Sequence, residues 1–173
     1  MAFAQDPCKT HEERIARMMT DHGRELKRLC YLYLRDRALA EDAAQETFLK
    51  AYKALPGFRG QSSEKTWLTR IAVNTCRDML RTFWFRRVDR KVDYDTLPEQ
   101  AAEDPDGDDT VLQAILALPR KYREVIVLRY YQEMDIADIA AALGAPAGTI
   151  KSRLSRARNT LSKTLERWYF DEE

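Results

Sequence analysis

Histidine is almost missing from this chain, with His11 and His22 the only two, and cysteine is sparse, at positions 8, 30 and 76. Two imidazoles leave little from which to build a metal centre or an acid–base pair. Cys8 and His11 have a ligand-like spacing, yet no second pair follows at zinc-finger distance. An odd number of cysteines at irregular spacing cannot complete a disulfide framework, which suits a reducing compartment. No apolar run reaches the ~18 residues a membrane span requires, and Met1 to Thr10 lack the apolar stretch of a signal peptide. No paired-carboxylate, Cys/His or glycine-rich phosphate-loop constellation argues for catalysis. These absences lead us to expect a cytoplasmic protein with no stable membrane insertion, no metal, no cofactor and no catalytic residue.

What is present is charge and apolar periodicity. Hydrophobic residues make up 45% of the 173 and charged residues 33%, enough to bury a core without a membrane. The net charge of +1 conceals an uneven distribution. Residues 1–91 carry +7, residues 92–109 carry −8 and residues 110–173 carry +2. The middle block (VDYDTLPEQAAEDPDGDD) is acidic, contains Pro98, Pro105 and Gly107, and has no helical apolar stripe. It reads as a linker that cannot recover its ordering entropy, so two domains, 1–91 and 110–173, flank a flexible acidic tether at 92–109. The alternative is a solvated surface loop within a single domain.

In the first block Leu26, Leu29, Cys30, Tyr33 and Leu34 recur at helical spacing. So do Ala44, Phe48, Ala51, Tyr52 and Leu55, a run that Pro56 and Gly57 stop. A third helix is expected after Ser62 and Ser63, either of which can cap it, with a stripe through Leu68, Ile71, Ala72, Thr75, Cys76, Met79 and Phe83. No strand-like alternation competes, so the fold class is all-α. The other faces of this helix carry Lys65, Arg70, Arg77 and Arg81, and Arg86, Arg87, Arg90 and Lys91 follow, with Trp67, Phe83, Trp84 and Phe85 interleaved. Cations neutralise phosphates and rings stack on unpaired bases, so the pattern suits nucleic acid. Trp67 and Phe83 fit a core position equally well. The loop before the helix, FRGQSS (58–63), offers Arg59, Gln61, Ser62 and Ser63 on a backbone loosened by Gly57 and Gly60, a composition able to hold a flipped base by its edge.

In the last block Tyr122, Val125, Ile126 and Tyr130 form one helical stripe after Pro119, and Ile136, Ile139, Ala140 and Leu143 form another between Asp135 and Gly144. After the turn GAPAG (144–148), Thr149 can cap a final helix whose buried stripe is Ile150, Leu154, Ala157, Leu161 and Leu165. Helix, glycine-containing turn, helix is the pattern of a motif that reads the major groove. At ~100° per residue, Ser152, Ser155, Arg156 and Asn159 lie within ~60° of the direction opposite that stripe. Arg, Asn and Ser read base edges, and the flanking Lys151, Arg153 and Arg158 are placed to grip phosphates. Between 149 and 167 the helix carries six cations and one acid, Glu166.

Taken in order, these segments resemble the extracytoplasmic-function branch of the sigma-70 family, the promoter-specificity subunits of bacterial RNA polymerase. DAAQETFLKAYKALPGFRG (42–60) resembles the family's polymerase-binding helix, and SSEKTWLTRIAVNTCRDMLR (62–81) its minus-ten reader. LPRKYREVIVLRYYQEM and DIADIAAALGAPAGTIKSRLSRAR (118–158) resemble region four, which reads the minus-thirty-five element. The resemblance implies that Asp42, Gln45, Glu46, Phe48 and Tyr52 dock on the clamp helices of the largest catalytic polymerase subunit, while the second domain meets the polymerase flap. Phe48 and Tyr52 equally fit an apolar stripe and hence a core. It also implies that the FRGQSS loop takes a flipped base, that Arg70, Arg77 and Arg81 bear on nearby backbone, and that Lys151, Ser152, Ser155 and Arg156 meet the upstream element; Trp67 is added to the expected minus-ten set, and Thr149, Arg153, Arg158 and Asn159 to the expected upstream set, from their place in the sequence. An anti-sigma partner is expected by the same resemblance alone.

The 18-residue tether spans at most ~60 Å at ~3.3–3.6 Å per residue. That is on the order of 17 base pairs, which lets two domains sit on separated promoter elements. Strong DNA binding by the free chain would be counterproductive for a subunit that acts on polymerase, and a small net charge agrees with that. The rival class is a two-domain helix-turn-helix repressor or activator that binds DNA directly, usually as a dimer; no dimer interface or effector pocket is evident in the sequence. An enzyme or scaffold carrying a helix-turn-helix is the third reading.

Overall fold

A computed structural model of the chain describes residues 10–87 and 109–170, with the side chains of 83–87, Asp109 and 167–170 excepted. Almost all of the expected tether lies outside these residues, as do Cys8 and the basic residues Arg90 and Lys91. Seven α-helices and no strand occur among the described residues: α1 His11–Leu34, α2 Arg37–Ala54, α3 Glu64–Arg87, α4 Asp109–Leu116, α5 Arg120–Ile126, α6 Ile136–Leu143 and α7 Ala147–Phe170.

Helix α1 begins well before the stripe that announces it. Thr10 accepts a hydrogen bond from the Glu13 amide, and the Glu13 carboxylate accepts one from the Thr10 amide, at 3.3 and 3.0 Å. This capping box satisfies two otherwise orphaned donors and lets Ile15 and Met18 reach the core. The helix ends where Arg35 turns left-handed at φ 56° and its amide donates to the Tyr31 carbonyl, 2.7 Å. Asp36 then caps α2 through the Leu39 amide, 2.9 Å, so α2 folds back on α1. Ala40, Ala43, Ala44 and Ala51 are buried on α2. Such small side chains let helix axes approach closely. Ser63 caps α3 by accepting from the Thr66 amide, 3.0 Å, and Leu68, Ala72, Val73 and Cys76 close the three-helix core.

In the second part of the chain, buried Arg123 donates Nη1 to the Leu116 and Leu118 carbonyls, 2.9 and 3.2 Å, and ties the α4–α5 corner. Helix α5 does not continue as a regular helix. Residues Val127–Tyr131 form a wider π turn, in which the Gln132 amide donates to the Val127 carbonyl at 3.1 Å. Val127 and Leu128 are buried there while Tyr130 is 53% exposed. The regular stripe expected to include Tyr130 therefore ends at Ile126, because a hydrogen bond that reaches back five residues rather than four breaks the 3.6-residue period. Asp135 caps α6 through the Asp138 amide, 2.7 Å, and Gly144 ends it at φ 62°.

Thr149 does not cap α7. The helix starts at Ala147, and the Pro146 carbonyl already accepts from the Ile150 amide at 3.1 Å. A proline supplies no donor but its carbonyl can open the ladder, so the helix starts inside the GAPAG turn. Ile150, Leu154 and Ala157 are buried as expected. The buried residues of α1–α3 and of α4–α7 belong to one continuous hydrophobic cluster. The two helical units are thus packed together, α1 and α3 against α5, α6 and the π turn between them.

Candidate functional site

Three surfaces hold the residues singled out from the sequence. The first is one face of α2. Asp42, Gln45 and Tyr52 are exposed and Glu46 is half-buried. Phe48 is buried, so of the two aromatics Phe48 belongs to the core and Tyr52, 42% exposed, to the surface. Leu49, 57% exposed, was missed by sequence reasoning. Positions 42, 45, 49 and 52 step by three, four and three, which places them on one stripe. A leucine outside the buried stripe of its own helix is the signal that would have found it. The Tyr52 hydroxyl reaches the Glu12 carboxylate of α1 at 3.4 Å, which ties this face to the start of α1.

The second surface is the 58–63 loop with α3. Gly60 adopts φ 69°, a conformation L side chains rarely take, and this turns the loop sharply. Arg59 and Gln61 are exposed and Ser62 half-buried, while the Ser63 hydroxyl is engaged in capping. Trp67 is half-buried and stacks on Phe58, with ring centroids 4.6 Å apart and planes 25° from parallel. Arg14 also lies over the Phe58 ring, 5.6 Å from its centroid. Glu64 holds that arginine in place: Arg14 donates Nε and Nη2 to it at 3.1 and 2.9 Å, and Arg17 donates Nη2 to both its oxygens at 3.0 Å. The base of the loop is thereby braced between α1 and α3 by residues that sequence reasoning passed over. Their spacing of about fifty positions gives no local pattern to read.

Of the basic face expected on α3, Lys65, Arg70 and Arg77 are engaged by other helices, and Arg81 stays at the surface. Arg81 is exposed and pairs with Asp78. Lys65 pairs with Glu25 of α1 at 3.0 Å. Arg70 pairs with Asp138 of α6. Arg77 donates Nη1 to the Leu143 carbonyl at 3.2 Å, and its Nη2 lies 3.5 Å from Glu124.

Helix α7 carries the third surface. Lys151, Ser152, Ser155, Arg156, Arg158 and Asn159 are exposed, while Arg153 and Thr149 are half-buried. The Ser152 hydroxyl donates to the Thr149 carbonyl, 3.0 Å. Where the residues are brought together, they form a cationic face on a helix that follows a tight turn, suited in size and chemistry to a DNA major groove.

Two buried titratable groups sit behind these surfaces. The Cys76 thiol is pushed well up by hydrogen bonding with the neighbouring Cys30 thiol and by burial. Tyr33 is raised by burial and then by the Glu124 carboxylate. Both stay neutral at physiological pH. A buried neutral thiol is a poor nucleophile. No group of three or more His, Cys, Asp or Glu side chains that could hold a metal ion occurs among the described residues, and no described helix is long and apolar enough to cross a membrane.

Comparison with known proteins fits this arrangement. Residues 18–86 match the family model for sigma-70 region 2, and residues 108–161 that for sigma-70 region 4. The chain is 33% identical to the ECF RNA polymerase sigma factor SigW of Bacillus subtilis over 91% of both chains. It is 36% identical to the RNA polymerase sigma-H factor of Pseudomonas aeruginosa over 78% of this chain and 77% of that one. Among solved structures, the sigma factor RpoE of Bartonella quintana, in complex with the anti-sigma factor NepR, superposes with a TM-score of 0.76 at 28% identity, covering 89% of this chain and 98% of that one. CnrH, in complex with the cytosolic domain of CnrY, gives 0.63 at 25% identity, covering 90% and 89%. With both regions matched in order and close relatives spanning nearly the whole length, the chain belongs to the extracytoplasmic-function sigma factors of the sigma-70 family, which give RNA polymerase its promoter specificity.

Proposed function

We propose that this sigma factor works as two readers joined by an acidic tether, with residues 1–91 bound to the polymerase clamp helices and the minus-ten element, and residues 110–173 bound to the flap and the minus-thirty-five element. The observation that carries the upstream half is α7, whose exposed Ser152, Ser155, Arg156 and Asn159 share a face flanked by Lys151 and Arg158. Arg156 and Asn159 there read base edges, and the lysine and remaining arginines fix register on phosphates. In the first unit, Asp42, Gln45, Leu49 and Tyr52 dock on the clamp helices as a polar stripe with an apolar centre. Phe48 acts from behind, as packing. Arg59, Gln61 and Ser62 receive a base extruded from the melted non-template strand, on a loop braced by the Phe58–Trp67 stack.

Separating the strands breaks no covalent bond, so the protein needs no catalytic residue, and its work is done in the cytoplasm where polymerase and promoter meet. The likeness to the sigma factor RpoE, solved in complex with the anti-sigma factor NepR, supports such a partner for this chain. Capture of purified core polymerase tests the docking face. Gln45→Ala combined with Leu49→Ala is expected to weaken capture at least tenfold, and Lys163→Ala on α7 to leave it unchanged. Equal capture by all three proteins would refute the α2 assignment.

A further inference from the structure

Arg14 and Arg17 of α1 lie before residue 18, where the match to sigma-70 region 2 begins, so the region 2 pattern does not account for them. Both converge on Glu64 in the first turn of α3. A carboxylate has about four acceptor sites, and the Glu64 oxygens are met by Nε and Nη2 of Arg14 and by Nη2 of Arg17. The two guanidiniums are nevertheless placed differently. Arg14 uses both donors of one edge on Glu64 and lies over the Phe58 ring. Arg17 is 48% exposed and bonds Glu64 through Nη2 alone. Its Nε and Nη1 donate to no group among the described residues.

This cluster stands at both ends of the 58–63 loop, since Arg14 lies over Phe58, which opens the loop, and Glu64 follows Ser63, which closes it. A base extruded into such a loop stays tied to a phosphate on either side. Charge there favours an anion. In the loop and at its base the cations Arg14, Arg17 and Arg59 stand against Glu64, while Glu13, one turn before Arg17, is bonded to the Thr10 amide. Glu64 also orients the pair: an arginine already held by a carboxylate loses less rotamer freedom on binding than one free in solvent.

We infer that Arg17 is a phosphate contact for the melted minus-ten strand, aimed by Glu64, and that Arg14 is a positioning residue that holds Phe58 and with it the loop. The inference rests on the proposed reading of the 58–63 loop as the receiver of an extruded base, and adds the start of α1 to the strand-binding surface.

The test uses holoenzyme formed from purified core polymerase and the full chain, bound to a premelted bubble of a promoter that it transcribes, over a salt series. Arg17→Ala is expected to weaken binding about fivefold at ~0.1 M salt. It should lower the slope of log affinity against log salt by about 0.7, the value for one phosphate of a single strand, and act equally for every base at the extruded position. Arg17→Lys keeps the charge and should restore the slope. Arg14→Ala should instead change the base preference and leave the slope as it is. Neutral methylphosphonates, placed singly along the non-template minus-ten strand, probe the wild-type protein without any substitution. One position should cost affinity with wild type and nothing further with Arg17→Ala. An unchanged slope in Arg17→Ala, or the same methylphosphonate profile for both proteins, overturns the phosphate contact. A changed base preference in Arg17→Ala at constant slope does so too, and would make Arg17 a second brace of the loop. Failure of the sigma reading looks different, because no promoter would then be transcribed with any variant of residue 17, and the inference would fall with it.

Discussion

Phe48 and Tyr52 occupy the same helix one turn apart, and apolar periodicity alone treats them alike. Packing separates them: Phe48 is closed off by the three-helix core, whereas Tyr52 turns its ring to solvent and its hydroxyl to Glu12. Exchange of Phe48 for alanine should therefore act through stability, by ~3–5 kcal/mol, read as a fall in the unfolding midpoint. Exchange of Tyr52 should leave the midpoint almost unmoved and lower polymerase affinity instead. Buried thiols give a residue-scale prediction in pH. Because the Cys76 thiol is raised in the folded state from an ordinary 9.0, the unfolded chain loses its proton first as pH rises. Stability is thus full below about pH 9 and declines above it by about 1.4 kcal/mol per pH unit for each such group. Tyr33 adds a second contribution of the same sign above its ordinary 10.0. Urea unfolding between pH 8 and about 11 should show this decline, and Cys76→Ala should flatten its first part; a parallel slope in the variant would contradict the assignment. At Arg156, alanine should cost ~1–3 kcal/mol of discrimination against a wrong base pair, measured as holoenzyme binding to matched and mismatched upstream duplexes.

Among the elements, glycine offers a paired test because the same substitution has opposite signs at two places. Gly23 lies inside α1 with open space where a Cβ would go, so Gly23→Ala should stabilise by ~0.5–1 kcal/mol through lower unfolded-state entropy. Gly144 also has open space, but at φ 62° its alanine variant should lose ~1–2 kcal/mol to backbone strain. Thermal melts of the two proteins check both, and equal shifts would show that the α6 C-cap does not hold its left-handed turn. Removing the α3 cap, Ser63→Ala, should cost ~1 kcal/mol.

Much of this was readable beforehand, because helices α2, α3, α6 and the outward face of α7 depend on local periodicity and capping residues. The first half of α1 was readable in principle from Thr10 and Glu13, whose three-residue spacing marks a capping box. The π turn was not, since the run Val125 to Leu128 is apolar in every register. Neither was the start of α7 inside a turn rich in glycine and proline. Least readable was the fate of the basic face of α3: Arg70 and Asp138 lie 68 positions apart, and no periodicity tells which cation meets which acid across a tether.

At the scale of the whole molecule, net charge and the pairing of the α3 arginines point the same way. The chain carries net +1, and Arg70 and Arg77 of α3 are paired with its own Asp138 and Glu124 carboxylates, which lowers the positive potential that α3 presents. Holoenzyme binding should then depend on salt more steeply than binding by the free chain, since additional phosphates are neutralised and their counterions released. Competition titrations across a salt series would show two different slopes, and a single common slope would contradict this expectation.

The account as a whole stands on promoter-directed initiation. Run-off transcription should be measured with purified bacterial core polymerase, a pool of genomic fragments and either wild type, Arg156→Ala or the Gln45→Ala, Leu49→Ala pair. The account predicts discrete transcripts that require this protein and weaken in both variants, through lost upstream reading in one and lost polymerase docking in the other. Fragments shifted by the protein alone with no transcript from any mixture would contradict it, and would make the chain a direct DNA-binding regulator.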